Sequence, residues 1–358
     1  MAPSAISPEE QNNTLTVDPI VAALRKTLTS ESAPLAARFR ALFSLKHLAA
    51  QNPPTAQTVP SIEAIAAGFA SPSALLKHEL AYCLGQSGNE AAIQPLRIVL
   101  SDRQEDAMCR HEAAEALGAL GDLGSLPLLK ERRDDDQEEV VVKETCELAV
   151  GRIEWENSEE GKKEQLKQRY ILTVRYHESF QTNTARSDFA SIDPAPPMAM
   201  LSTKASIPDL EQTLLDTKLP LFQRYRAMFA LRDLCSPPDL PTAVPAVNAL
   251  ARGLADPSAL FRHEIAFVFG QLSHPASIPS LTECLSNTKE ESMVRHEAAE
   301  ALGSLGDEEG VEATLKRFLN DPEQVVRDSI IVALDMAEFE KNGEMEYATI
   351  PVGEEVSA

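Results

Sequence analysis

The sequence predicts an all-α protein, an α-solenoid in which helical hairpins form two pseudo-symmetric halves of four repeats each. Two observations support this prediction: the composition of the core and an internal duplication. Hydrophobic residues make up 43% of the 358 residues, but aromatic residues make up only 5%. The core is therefore built mainly from Ala and Leu, which favours packed helices over sheets rich in aromatic and β-branched residues.

The duplication is visible in nearly identical strings. RHEAAEALGALGD begins at Arg110 and RHEAAEALGSLGD begins at Arg295. At the same offset, SPSALLKHELAYCLGQ from Ser71 matches DPSALFRHEIAFVFGQ from Asp256. Within each half a shorter period of 33 residues recurs between matching His-Glu positions, so each half is itself an array of repeats.

The repeat unit reads as a helical hairpin that closes with a Leu-Gly pair. We expect Asp256 to cap a helix with Pro257 at its first position, and Asp321-Pro322 to open another helix in the same way. A period of 33 residues also fits ankyrin and tetratricopeptide arrays, but their TPLHxA and W-LG-Y signatures are missing. The unit therefore resembles the short HEAT-like repeat, and four hairpins account for each half.

The domain boundaries follow from changes in composition. The middle of the chain is rich in charged residues and then in Pro, Ser and Asp, which predicts a linker. The chain ends predict tails. The expected organisation is a flexible tail at 1–15, an N-terminal half at 16–154, a linker at 155–205, a C-terminal half at 206–340 and an acidic tail at 341–358.

The charge and cysteine content limit the classes of partner and compartment. A net charge of -22 repels nucleic acid phosphates and anionic membranes, so we expect neither as a partner and favour a basic one. No apolar run approaches the length of about 18 residues that crosses a bilayer, and no secretory signal begins the sequence. Five scattered cysteines without a CxxC motif predict reduced, mostly buried thiols. A cytoplasmic protein is expected.

Four His-Glu dipeptides, which occur at matching positions of the repeats, are the candidate metal-binding residues. Adjacent residues on a helix point about 100° apart, so a His and the following Glu can border one cavity. Packed helices lie about 8–10 Å apart, a gap that inward-reaching side chains can close around an ion. Each half thus offers two imidazoles and two carboxylates to one point. The candidate ligands are His78, Glu79, His111, Glu112, His263, Glu264, His296 and Glu297.

A purely structural polar ladder is the alternative interpretation of these pairs. Such a ladder would recur in every hairpin, yet the last unit of each half carries Lys143-Glu144 or Arg327-Asp328 at the matching place. Burying eight such groups without a cation would also be costly. We therefore predict metal ligands. Eight ligands without thiolate suit two non-haem iron ions, with zinc-dependent hydrolysis as the chemical competitor.

We assign no catalytic role and no role as a metal ligand to the other notable polar residues. We read the pair His177-Glu178, outside any repeat, as a coincidence, and His47 and His274 as surface or packing residues. Glu115 and Glu300, one turn after a His, are candidates for orienting an imidazole. The basic residue before each His-Glu pair is expected to form a salt bridge within the array rather than to bind an anion. These basic residues are Lys77, Arg110, Arg262 and Arg295.

On the four His-Glu pairs, the RHEAAEALG strings and the linker string SIDPAPP, the sequence resembles the deoxyhypusine hydroxylase family of HEAT-repeat di-iron monooxygenases. The resemblance covers nearly the whole chain. It implies two Fe2+ ions with O2 as co-substrate. The ions would be held by His78, His111 and Glu112 in one half and by His263, His296 and Glu297 in the other. Glu79 and Glu264 would then contact the substrate amines.

The family hydroxylates the deoxyhypusine side chain of the precursor of translation initiation factor 5A, which gives hypusine. The resemblance therefore implies this factor and an external electron donor as partners, a monomeric enzyme, and a location in the cytoplasm and also the nucleus. A long polyamine-like cation also fits a strongly acidic protein. Two other classes stay open from the residues alone: a HEAT-repeat interaction scaffold, and a metal-dependent hydrolase or a chromophore lyase.

Overall fold

A computed structural model describes residues 18–166, 191–198 and 205–341. Every regular element in these ranges is a helix, and the helices pair into consecutive hairpins. The predicted all-α solenoid with two four-hairpin halves is therefore confirmed. The predicted tails lie almost wholly outside the described residues, as does much of the predicted linker. No helix within the described part of the chain is long and apolar enough to span a membrane.

Four hairpins form the N-terminal half, and we number the helices in chain order. They are α1 (Pro19–Leu28) with α2 (Leu35–Ala49), α3 (Thr58–Ala67) with α4 (Ala74–Gln86), α5 (Ile93–Ser101) with α6 (Ala107–Ala119), and α7 (Leu126–Asp134) with α8 (Val140–Asn157). The helix α8 extends three residues beyond the expected boundary at 154. A further helical stretch covers 159–166.

The C-terminal half repeats the same arrangement. Its hairpins are α9 (Ile207–Leu215) with α10 (Leu221–Asp233), α11 (Ala243–Ala251) with α12 (Ala259–Leu272), α13 (Ile278–Ser286) with α14 (Ser292–Gly303), and α15 (Val311–Lys316) with α16 (Gln324–Lys341). The second helices of successive hairpins stack side by side in each half. These second helices bear the His-Glu pairs.

The expected helix starts at the Asp-Pro dipeptides are wrong by two residues. Ser258, rather than Asp256, is the N-cap of α12, and its hydroxyl accepts from the backbone N–H of Phe261. The carboxylate of Asp256 instead forms a buried ion pair with Arg224 of the preceding hairpin. Asp321 likewise pairs with Arg295. The Asp-Pro motif thus joins neighbouring hairpins instead of starting a helix.

Glycines allow the second helices to approach each other closely. A Cβ atom added to Gly118 would lie 2.8 Å from the Cβ of Ala149, and one added to Gly303 would lie 2.8 Å from the Cα of Ala333. Such distances are shorter than real carbon contacts, so a side chain at either glycine would push the helices apart. The Leu-Gly pairs that recur in the sequence therefore set the spacing of the helices that bear the candidate ligands.

The two halves contact each other at both of their ends. The last helix of the first half, α8, packs on α10, and the last helix of the second half, α16, packs on α2. At the first contact the rings of Trp155 and Phe222 lie 6.1 Å apart. At the second, Arg40 and Asp335 form an ion pair of 3.2 Å. Each half therefore ends against the start of the other, which closes the solenoid into a pseudo-symmetric ring.

Part of the predicted linker is packed against both halves. Residues 191–198 form no helix or strand, as their composition predicts, but Ala195 is fully buried. The backbone of Ile192 exchanges two hydrogen bonds with the side-chain amide of Gln86, at 2.7 and 3.0 Å. Asp193 binds both terminal nitrogens of Arg232, at 2.7 and 2.8 Å. We call residues 191–198 the crossing segment.

Candidate metal centre

The four His-Glu pairs lie on four different helices that face the middle of the ring. His78-Glu79 is on α4 and His111-Glu112 is on α6, whereas the second half contributes its pairs from α12 and α14. All eight side chains are buried. The hairpin repeat explains the placement, because equivalent positions on stacked helices face the same side.

The imidazole rings of both halves come together at one point. Within the halves, the ring centroids of His78 and His111 lie 5.3 Å apart and those of His263 and His296 lie 5.4 Å apart. Between the halves, His78 lies 5.7 Å from His263 and 5.2 Å from His296. The distance from His111 to His263 is 5.5 Å. The distances between the halves are similar to the distances within a half, so the four rings form a single cluster.

Carboxylates border this cluster in a symmetric way. The Nε2 atom of His78 lies 3.3 Å from Oε2 of Glu112, and Nε2 of His263 lies 3.5 Å from Oε2 of Glu297. Oε1 of Glu79 lies 3.3 Å from Nδ1 of His78. Three sets of donor atoms fall within 4.8 Å of one another: His78, His111 and Glu112; His78, His263 and His296; and His296, Glu297 and Glu300.

The ring nitrogens fit a metal centre because they lack other partners. Both ring nitrogens of His111, His263 and His296 are buried and make no hydrogen bond with any described residue, nor does Nε2 of His78. Oε1 of Glu264 is also buried without a hydrogen bond. Burying so many polar atoms unsatisfied would be costly, and bound cations would remove that cost. Imidazole and carboxylate together, without thiolate, are donors typical of iron and zinc.

The protonation of the imidazoles differs between positions. Burial and the neighbouring imidazoles lower the pKa of His111 and His296 well below the usual value. Burial also acts to lower the pKa of His78, but the carboxylates of Glu112 and Glu79 outweigh it and raise that pKa well above the usual value. His111 and His296 are therefore neutral near pH 7, which leaves their nitrogen lone pairs free for a metal.

Three glutamates around the cluster resist ionisation in the absence of metal. Burial and the charges of neighbouring carboxylates raise the pKa of Glu115, Glu264 and Glu300 well above the usual value. Ser329 donates a hydrogen bond of 3.0 Å to Glu300. Oε1 of Glu300 lies 3.7 Å from Nδ1 of His296, too far for a hydrogen bond but close enough to orient the ring after a small movement.

Most of the polar residues outside the predicted ligand set have the surroundings that the sequence predicts. Each basic residue before a His-Glu pair forms an ion pair with an acidic residue that lies just before the second helix of the next hairpin. The predicted structural salt bridges are therefore confirmed. His47 is exposed, and the Nδ1 atom of His274 accepts from the backbone of Ala276. All five cysteines are free and buried. His177-Glu178 lies outside the described residues.

Sequence reasoning missed the polar residues that hold the crossing segment. Gln86 and Gln271 occupy matching places at the ends of α4 and α12, and both bind this segment; Gln271 donates to the hydroxyl of Ser191 at 2.9 Å. Arg232 binds it from α10. The sequence does contain a sign of these two glutamines, because the strings CLGQ and FVFGQ both end in Gln on the helices that bear the first His-Glu pair of each half. The partner in the linker has no repeat, however, so periodicity could not reveal it.

Comparisons with known proteins support the fold and identify the family. A family model of HEAT repeats matches residues 59–149 and 245–335. The chain is 73% identical to the deoxyhypusine hydroxylase of Phaeosphaeria nodorum over 341 residues, which covers 95% of this chain and 98% of the relative. It is 66% identical to the deoxyhypusine hydroxylase of Aspergillus fumigatus over 346 residues, with 97% and 98% covered.

A solved structure supports the same assignment at lower identity. The structure of human deoxyhypusine hydroxylase in complex with glycerol is 43% identical, with a TM-score of 0.72, and the match covers 89% of this chain and 96% of the human chain. The identity and the coverage are high enough to show family membership as well as fold. The chain therefore belongs to the deoxyhypusine hydroxylase family and is an enzyme of the oxidoreductase class.

Proposed function

We propose that the protein hydroxylates the deoxyhypusine side chain on the precursor of translation initiation factor 5A, using two Fe2+ ions and O2 as co-substrate, to give hypusine. The supporting observation is the convergence of four imidazoles from two halves of the ring, in which every ring nitrogen except Nδ1 of His78 lacks a hydrogen bond to a described residue. Family membership makes an interaction scaffold without catalysis the weaker alternative.

We assign one ion to each half on the resemblance to the family, and one of the donor sets matches this assignment. His78, His111 and Glu112 would hold the first ion, because their donor atoms lie within 4.8 Å of one another. His263, His296 and Glu297 would hold the second, supported by the 3.5 Å approach of His263 to Glu297. When bound, the ions supply the activation of O2 that carbon hydroxylation requires.

The remaining carboxylates suit the ammonium groups of the substrate. Glu79 and Glu264 are the two partners left over from the His-Glu pairs, and both are buried beside the imidazole cluster. Charge-assisted hydrogen bonds from buried ammonium groups to these carboxylates would fix the carbon chain between them. Such contacts position the reacting C–H bond and exclude water from its surroundings.

The overall reaction needs two electrons from outside the protein. One C–H bond of the side chain breaks and one C–O bond forms with an oxygen atom of O2. The second oxygen atom leaves as water after accepting two electrons and two protons. No nucleotide- or flavin-binding motif occurs in the sequence, so we infer an external electron donor. The net charge of -22 suits a basic substrate loop. We also propose that the protein is a monomer that is located in the cytoplasm and the nucleus.

Metal analysis combined with a product assay tests this function. The purified protein is expected to contain about two irons per chain and to add one oxygen atom to the deoxyhypusine form of factor 5A, measured by mass spectrometry. The variant His111→Ala should lose iron and activity, whereas His47→Ala, at an exposed position, should keep both. Bound zinc without oxygen transfer would favour the hydrolase, and full iron content in His111→Ala would remove this histidine from the site.

A further inference from the structure

The two ends of the metal centre are related by the duplication but differ in their surroundings. Glu79 and Glu264 occupy matching positions, yet Glu79 is 7% exposed and Glu264 only 1%. Oε1 of Glu79 lies 3.3 Å from His78, whereas Oε1 of Glu264 is buried without a hydrogen bond to any described residue. The pseudo-symmetric site therefore has a more open end at Glu79 and a more closed end at Glu264.

The crossing segment lies near the closed end. It is held by Gln86 of the first half and by Gln271 and Arg232 of the second. Through Asp193 it places a carboxylate close enough to Glu264 and Glu115 for its charge to act on both. Its Asp193, held by Arg232, therefore lies on the side of the centre on which Glu264 and Glu115 lie.

The matching position at the other end is occupied differently. Lys46 is the counterpart of Arg232 in the duplication, and it makes no ion pair within the described ranges. Its ammonium lies 4.4 Å from the ring centroid of Tyr82, which is partly exposed. Beside Glu79, the side chain of Glu300 is 17% exposed. A partly exposed carboxylate, that of Glu300, therefore lies beside Glu79.

We propose that the substrate side chain enters at the Glu79 end, so that Glu79 binds the secondary ammonium and Glu264 binds the terminal ammonium beneath the crossing segment. The inference rests on the proposed function, since it assigns a direction to that substrate. The order of the groups follows from the connectivity of deoxyhypusine: the secondary amine is nearer the protein backbone and enters last. The unpartnered oxygen of Glu264 is then the acceptor at the closed end.

A binding cycle tests this direction under anaerobic conditions, where turnover cannot occur. Two probes are compared on the iron-loaded protein: a peptide with deoxyhypusine, and the same peptide with Nε-butyl-lysine, which lacks only the terminal amine. For the unmodified protein and for Glu79→Gln, loss of the terminal amine should weaken binding by about 10- to 100-fold. For Glu264→Gln this difference should nearly vanish.

The possible outcomes separate the direction from the function. If the difference vanishes in Glu79→Gln instead, the direction is reversed and the proposal is overturned. If it persists in both variants, neither glutamate recognises the terminal amine, which also overturns it. If the unmodified protein binds neither probe, the proposed function itself fails. Iron content is measured in both variants, so that loss of metal is not mistaken for loss of a substrate contact.

A second measurement avoids substitution in the site altogether. A deoxyhypusine-like peptide with a photoreactive diazirine in place of the terminal amine is irradiated on the unmodified protein, and the cross-linked peptides are identified by mass spectrometry. Cross-links to the crossing segment or to residues around Glu264 would support the proposal. Cross-links to residues around Glu79 or Glu300 would contradict it, because those residues lie at the opposite end of the site.

Discussion

His111 and His296 lie deepest in the candidate metal centre, with neither ring exposed to solvent. Burial keeps both rings neutral, since an imidazolium there would lose its hydration and face other imidazoles. His78 differs because two carboxylates lie within 3.3 Å of its ring nitrogens. The metal-free centre therefore stores its protons on His78 and on the buried glutamates.

This distribution predicts that Fe2+ uptake at pH 7 releases protons. Groups whose pKa is raised hold protons in the metal-free protein, and a nearby dication displaces them. The sources are His78, Glu115, Glu264 and Glu300. Titration calorimetry of Fe2+ binding in two buffers with different ionisation heats measures the number released. Equal heats in both buffers would show that no protons leave and would contradict this account.

At the scale of the element, the spacing of the second helices determines whether the ligands meet. Gly85 and Gly270 are matching residues in the two halves, but their surroundings differ. A Cβ on Gly85 would lie 2.7 Å from the Cβ of Ala116, whereas a Cβ on Gly270 would lie 3.4 Å from the Cα of Ala301. Helix packing is therefore tighter between α4 and α6 than between α12 and α14.

The matched pair gives a stability prediction with an internal control. Gly85→Ala is expected to lower the free energy of unfolding by about 1–3 kcal/mol, because the added methyl group forces the two helices apart. Gly270→Ala should be neutral or stabilising by up to about 1 kcal/mol, since Ala favours the helix and the space is adequate. Denaturant unfolding of both variants measures the effect. An equal loss in both would show that the packing difference is unimportant.

At the scale of the whole molecule, several kinds of contact between described residues join the halves. They include the shared imidazole cluster, the crossing segment, and the packing of α8 on α10 and α16 on α2. The apolar cores extend across these junctions, since Leu148 joins the second core and Val332 joins the first. The sequence alone predicts only a linker between the halves, whereas the ring is closed by direct packing.

Iron removal should therefore loosen the ring without opening it. A ligand that binds only the folded protein stabilises it by about 3 kcal/mol at a hundredfold excess over its Kd, so chelation should lower the Tm by several degrees. The maximum dimension in solution scattering should stay unchanged because the end contacts persist. Calorimetry and scattering on the chelated protein measure both quantities. A markedly longer particle would show that the metal, rather than the end contacts, closes the ring.

The sequence by itself determined the repeat, the all-α class and the four His-Glu pairs, because these features recur at fixed spacing and each depends on local helix geometry. It misplaced the helix starts at Asp256 and Asp321, since both carboxylates bind arginines of the preceding hairpin instead of capping a helix. Local rules cannot distinguish those two uses of an Asp.

Only the tertiary structure decided how the halves meet. The small rotation between successive hairpins accumulates over the four repeats of each half. The accumulated rotation brings the ring centroids of His78 and His296 to 5.2 Å from each other. The crossing segment has no periodic pattern, so its bonds to Gln86 and Arg232 depend on surfaces that exist only after the ring has closed. Those bonds make the two ends of a duplicated site unequal, a difference that the duplicated strings do not contain.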